Sequence, residues 1–222
     1  MCGRFTIIDP LEDIMERYMA SIAEGFEYKP NYNAAPMQYI PTIIGSSKGN
    51  RLGSLRWGLV PSWAKDDKIG SKMINARADT LAEKPAYKRL ISSKRCIVPC
   101  NGFYEWKKEG SSKQPMRILM KDNSIFSLAG LYDTWIDQDG NKLSTCTIIT
   151  TEPNNLMADI HDRMPVILRS QDEAEWLNKD SNKDSILGLL RPYDAAEMSA
   201  YKVDSAVGNV RNNNEGLIKE VS

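Results

Sequence analysis

Cys2 is the residue whose position carries the most chemistry. A small second residue ordinarily permits loss of the initiator Met, after which Cys2 presents an α-amine and a thiol on adjacent carbons. That pair is a 1,2-aminothiol. The amine titrates near about pH 8 and the thiol near about 8.5, so a useful fraction of each is nucleophilic at neutral pH without extreme tuning. An aldehyde would be captured twice, first as an imine and then as a five-membered thiazolidine that hydrolyses far less readily. Position alone is also compatible with an early residue of no special role. Lipidation, which needs a preceding signal segment, is not expected.

His161 is the only histidine, in the run DIHDRMPVIL. Asp159 or Asp162 is placed to fix its tautomer, and its proton exchange near neutral pH makes it a candidate acid or base. A lone histidine is also often structural. Glu105 stands in NGFYEW between Tyr104 and Trp106, so strand alternation puts it on the opposite face from both aromatics, beside Phe103 and Lys107. On an inward face, desolvation would raise its pKa and suit it to shuttle protons. Spacing alone favours the other reading, a solvent-facing Glu paired with a lysine.

The segment INARAD places Asn75 and Arg77 two apart, on one face if extended. Amide plus guanidinium suits a phosphate, although a surface turn has the same composition. Arg4 and Arg163 are further candidate phosphate contacts. Trp63 and Trp106 are candidate stacking platforms, since flat rings beside cations serve single-stranded nucleic acid; tryptophans also commonly belong to the core. No metal or cofactor is expected. Cys96 and Cys100 form a C-x3-C pair with no second cysteine pair, short of a structural zinc set. Walker A, G-x-G-x-x-G and G-x-S-x-G sequences do not occur, and Cys100 has no flanking signature for a Cys–His peptidase pair.

The elements that must position these residues read as mainly β. YIPTIIG, RLGSLRWG, RCIVP, GFYEWKK, PMRILM, SIFSLAGLYDTW and LSTCTIIT are β-branched or aromatic runs separated by SSKGN, EGSSK, KDN and DQDG, which predicts antiparallel hairpins. A short strand is expected from Gly3 to Ile8. Asp9, Pro10 and Glu12 predict the start of a helix whose apolar positions run through Ile22 to a C-cap at Gly25. Further helices are expected over Asp79 to Ser92, broken or bent at Pro85, from a Ser170/Glu173 cap through Trp176, and from Asp184 to Leu190. The pattern predicts an α+β fold, a single domain over residues 1–222 whose antiparallel sheets close into a barrel or sandwich with flanking helices.

Lys+Arg and Asp+Glu both number 29, which argues against gripping nucleic acid by bulk charge and leaves a local basic groove as the route. No apolar stretch reaches signal-peptide or membrane-span length, so a cytoplasmic protein with no membrane partner is expected. The four cysteines are too few for a disulfide scaffold and are expected to be reduced.

MCGRF, YNAAP at Tyr32 to Pro36, RWGLVPSWA at Arg56 to Ala64, INARAD, RCIVPCNGFYEW, LAGLYDTW, DIHDRMP and the late VGNVRNNN occur in one order along nearly the whole chain. Together they resemble the SOS response-associated peptidase (SRAP) family. The resemblance implies a monomer that shields abasic sites in single-stranded DNA, with no nucleotide cofactor. Cys2, freed by autocatalytic loss of Met1, would attack the C1′ aldehyde of the ring-opened sugar and form a thiazolidine DNA–protein crosslink, with abasic-site lyase activity as an associated reaction. By the same resemblance Glu105 is the proton shuttle for capture and for self-cleavage. His161 helps open the sugar, and Asn75 orients Cys2 or the sugar. Arg4, Arg77 and Arg163 meet phosphates, while Trp106, Pro36, Trp63 and Thr150 line the strand or stack on a flanking base. Two other functions fit the same residues: a thiol peptidase acting on other proteins, and a non-enzymatic reader of modified bases.

Overall fold

Every β-branched or aromatic run expected between Tyr39 and Cys146 is a strand in the computed structural model, which describes residues 2–222. In chain order the strands are β1 (Phe5–Ile7), β2 (Ala20–Ile22), β3 (Asn31–Ala34), β4 (Tyr39–Ser46), β5 (Gly49–Trp57), β6 (Asn75–Arg77) and β7 (Arg95–Cys100). They continue as β8 (Gly102–Glu109), β9 (Ser112–Met120), β10 (Phe126–Ile136), β11 (Lys142–Thr151), β12 (Met164–Pro165), β13 (Ile167–Leu168) and β14 (Met198–Lys202). Short helices flank them: α1 (Leu11–Arg17), α2 (Pro85–Lys88), α3 (Leu90–Ser93), α4 (Asn155–Ala158), α5 (Glu173–Leu177) and α6 (Lys183–Gly188).

Five strands close on themselves. β5, β4, β7, β10 and β11 pair antiparallel in that order. A parallel contact of β11 with β5, Thr145 opposite Arg56 and Cys146 opposite Trp57, completes the ring. Closure leaves no open edge within the ring. A second sheet, ordered β14-β9-β8-β1-β3, stands beside it. The fold is α+β, with a mainly antiparallel, barrel-like core and flanking helices.

Two features dock the second sheet on the barrel. Phe5 of β1 meets Trp57 of β5 edge to face, with centroids 5.4 Å apart. Asn101 makes the corner at which the chain leaves the barrel at β7 and enters the second sheet at β8. Its buried side chain accepts from the Ile8 amide at 2.8 Å and donates to the Asp9 carboxylate at 2.8 Å. A shared apolar cluster holds barrel residues such as Ile43, Leu128 and Ile148 together with Phe5, Phe103 and Ile118. All four cysteines are buried free thiols. Among the described residues no helix is long and apolar enough to cross a membrane.

Several expected elements differ. The first helix stops at Arg17 instead of reaching Gly25. Tyr18 turns inward to Ser127 at 2.9 Å, Met19 takes a left-handed φ of 45°, and Ala20–Ile22 becomes a strand parallel to β5. Strand pairing along the barrel overrides the helical spacing. Asp9 does not cap α1, because its carboxylate is bound by Asn101. The Ser170/Glu173 box also fails to form. Glu173 is engaged by Arg17 at 2.8 and 2.7 Å and by Ser127 at 2.6 Å, and Ser170 accepts from Arg17. The Asp79 to Ser92 segment is three short pieces: it is broken at Pro85, which opens α2, and not bent as one helix. KDN is no hairpin turn either: it carries the chain from β9 in one sheet to β10 in the other, through Asn123 at φ 59°.

Candidate functional site

The catalytic candidates come together where β1 runs antiparallel to β8. Phe5 lies opposite Phe103, and the Tyr104 amide donates to the Arg4 carbonyl at 2.9 Å; Cys2, just ahead of β1, lies close enough to Glu105 for that carboxylate to act on its thiol. Glu105 is only 3% exposed, so the solvent-facing, lysine-paired alternative is overturned. Burial pushes its carboxyl above the usual carboxylate range. Cys2 is fully buried. Burial first, then the charges of Glu105 and Cys100, push its thiol well above the usual range. The expectation of a useful thiolate fraction at neutral pH is therefore corrected for the chain as described: burial holds the sulfur as S–H. Cys100, also buried, has its thiol pushed up to about 12.

His161 approaches Glu105 from the segment after α4, with Nε2 at 3.9 Å from the Glu105 carboxylate. Its Nδ1 lies 3.1 Å from the Arg163 amide and 2.8 Å from the Asp162 carboxylate. The amide asks for a bare nitrogen and the carboxylate for a protonated one. Asp162 is 87% exposed and free to turn away, whereas the amide is fixed by the backbone, so Nδ1 is the acceptor and Nε2 carries the proton facing Glu105. Asp159 instead closes α4.

The end of β11 assembles the next ring of residues. β6 pairs with it in parallel, Asn75 opposite Ile148 and Arg77 opposite Thr150, while β12 pairs on Thr150 and Thr151. Asn75 donates weakly to the Ile148 carbonyl at 3.4 Å, and its Oδ1 is buried with no hydrogen-bond donor among the described residues. Arg77 is exposed and held by Asp79 through Nε at 3.2 Å and Nη2 at 2.7 Å. Arg163 donates from Nη2 to the Thr150 carbonyl at 2.6 Å and hydroxyl at 3.2 Å. Thr150 is fully buried, which corrects its expected contact with a strand: its side chain anchors Arg163 instead.

Arg4 and Trp106 form a separate pair. The Arg4 guanidinium lies 6.0 Å from the Trp106 ring centroid and donates to Asn33 at 3.1 Å and to the Val207 and Gly208 carbonyls at 2.8 and 3.2 Å. Two of its hydrogen bonds hold the late VGNVRNNN segment and a third holds Asn33, leaving two of the five guanidinium donors uncommitted among the described residues. Trp63 is 61% exposed between two fixed points, the Ser62 amide on Asp133 at 2.9 Å and the Ala64 carbonyl accepting from Trp135 at 2.8 Å. Pro36 is half-buried ahead of β4.

Two contributors escaped the sequence reading. Asp79 sits in INARAD two residues after Arg77, a spacing that could have flagged it as an ion-pair partner. Asn33 of YNAAP is 1% exposed, and its Nδ2 lies within 3.2, 3.1 and 3.0 Å of the Val207, Asn209 and Asn212 carbonyls. Its signal was an amide inside a short strand pattern, where an apolar residue is the default. No group of three or more His, Cys, Asp or Glu converges on a metal-sized site among the described residues.

The family model described as SOS response associated peptidase (SRAP) matches residues 1–210. The abasic site processing protein YoqW of Bacillus subtilis is 55% identical, with 99% of each chain covered. The abasic site processing protein YedK of Escherichia coli is 33% identical over 100% of both chains. A crystal structure of a Bacteroides thetaiotaomicron protein superposes with a TM-score of 0.90 at 32% identity, covering 100% of both chains.

Proposed function

The chain belongs to the SOS response-associated peptidase family, and from that premise we propose that it processes abasic sites by capturing them covalently in single-stranded DNA through Cys2. The observation that carries this reading is the convergence of Cys2, the raised carboxyl of Glu105 and His161 Nε2 at 3.9 Å from it.

Loss of Met1, which lies outside the described residues, frees the Cys2 amine, and Glu105 is the group placed to move protons in that self-cleavage. His161 Nε2 gives its proton to the sugar ring oxygen while the C1′ hydroxyl gives its own to Glu105, which returns it to Nε2, and the hemiacetal opens to the aldehyde. The amine adds to C1′ to give a carbinolamine. Glu105, whose proton affinity burial raises, donates to the departing hydroxyl and takes up the proton left on nitrogen, and water and an imine result. The thiol then adds across the C=N bond: a C–S bond forms, the S–H proton passes through Glu105 to nitrogen, and a thiazolidine closes. Because the thiol is held protonated, the amine acts first. The undonated Oδ1 of Asn75 accepts from the amine or a sugar hydroxyl, a partner worth supplying since an unmet buried acceptor costs about 1–3 kcal/mol. Arg77 and Arg163 hold the flanking phosphates, with Trp63 and Trp106 stacking on neighbouring bases.

Mixing the protein with an oligonucleotide bearing one abasic site should give an adduct stable to heat and SDS on a denaturing gel. Cys2→Ala keeps an α-amine, so it should lose the stable adduct and retain an imine trapped only by borohydride. An equally stable adduct formed by Cys2→Ala at the wild-type rate would rule the reading out.

A further inference from the structure

Two guanidiniums share one carboxylate beside the candidate site. Asp79 grips Arg77 side-on, through Nε and Nη2, and its Oδ1 also lies 3.7 Å from Arg163 Nη2. Arg163 Nη2 is simultaneously tied to Thr150 at 2.6 and 3.2 Å. In both arginines Nη2 is thus engaged within the protein. Neither Nη1 makes a hydrogen bond or ion pair among the described residues, so each guanidinium keeps a terminal nitrogen uncommitted. The three side chains border one cleft, of about 560 Å³, together with Thr151, Glu152 and Leu187. Glu152 and Asp162 are the other acids that act on this pair, Glu152 on Arg163 and Asp162 on both.

Two like charges held this close repel, and a flexible exposed arginine loses side-chain entropy when it grips a phosphate. A carboxylate between them removes both costs before the ligand arrives. A side-on grip does so while leaving the end-on edge free, the geometry for bidentate phosphate recognition.

We propose that Asp79 is a positioning residue that holds the Arg77 and Arg163 guanidiniums as one preorganised fork for the phosphodiester backbone of a DNA strand. This deepens the proposed function and rests on it for the strand's identity. It makes a prediction opposite in sign to simple electrostatics. Removing a negative charge beside DNA should tighten binding if Asp79 only masks the arginines, and weaken it if Asp79 aims them.

The test is fluorescence anisotropy on undamaged single-stranded oligonucleotide across a salt series, with single-turnover capture of an abasic oligonucleotide at saturating protein. Asp79→Asn and Asp79→Ala should weaken binding about fivefold, the scale of one well-aimed charged hydrogen bond, and flatten the salt slope by about 0.7 for each phosphate no longer neutralised. Asp79→Glu should recover most of the affinity. The capture rate at saturation should stay at the wild-type value, because no proton-transfer group is touched. Asp79 is 51% exposed, so its loss opens no core, and unchanged thermal unfolding would show that the fold is intact. Binding by Asp79→Asn as tight as wild type or tighter overturns the proposal, as does a saturating capture rate that falls in step with affinity. Should the wild type form no abasic adduct while Asp79→Asn still weakens binding to undamaged strand, the proposed function fails and the fork stands.

Discussion

Glu105 and Cys2 are buried close together, and that placement raises the proton affinity of both. For Glu105 the folded pKa lies above the unfolded value of about 4.3. Between those two values the native state binds more protons than the unfolded chain, so its contribution to stability falls as pH rises through the window. Glu105→Gln should therefore raise the melting temperature at pH 7 to 8 and change it little near pH 3, where both states hold the proton. The same variant should slow capture by about 10²-fold or more and leave affinity for undamaged strand nearly unchanged. Melting curves at the two pH values, set beside single-turnover rates, check both halves. At this scale the sequence named the reactive types and alternation named the face of Glu105. It could not show the proximity of Glu105, His161 and Cys2, which arises from pairing between distant segments, nor the burial that holds the thiol protonated.

The elements matter through the way they aim β6. Gly70 lies in the 3-10 turn Asp67–Lys72, and a Cβ there would sit 2.7 Å from the Gly58 carbonyl oxygen, while Gly58 itself takes φ +137°. That backbone contact fixes the segment ahead of Asn75. The Leu59 amide donates to Met73 at 3.1 Å, and the Ile148 amide to Ile74 at 3.1 Å. Gly70→Ala should cost on the order of 2 kcal/mol in urea unfolding, the usual scale of overpacking. It should also slow capture by moving Asn75 off its register against β11. Unaltered stability would mean that the two backbones can separate freely. Strands were the legible elements, since β-branched runs between turn residues have one good use. The helix does not run on to Ile22 because the apolar spacing is local, whereas the pairing of Ala20–Ile22 with β5 joins segments far apart in sequence and overrides it.

For the whole molecule, charge is balanced overall but not locally. The stretch from Pro61 to Lys94 holds eight Lys or Arg against four Asp or Glu, and it contains Arg77. A local basic excess on a neutral chain is thus legible in the sequence, whereas the sharing of Asp79 by Arg77 and Arg163 is not. Two arginines, each with a terminal nitrogen uncommitted, predict a salt slope of roughly −1.5 for single strand, from about −0.7 per phosphate. Anisotropy between low and physiological KCl measures it, and a slope steeper than about −4 would place most phosphate binding elsewhere, on surface lysines. The grip of Arg4 and Asn33 on Val207 to Asn212 reaches further than binding. Arg4 and Val207 are 203 positions apart, so the segment that carries Cys2 is latched by residues far along the chain. Cutting the polypeptide ahead of Val207 therefore undoes that latch from a distance, leaving Arg4 and Asn33 with unfilled donors while no proton-moving group is touched.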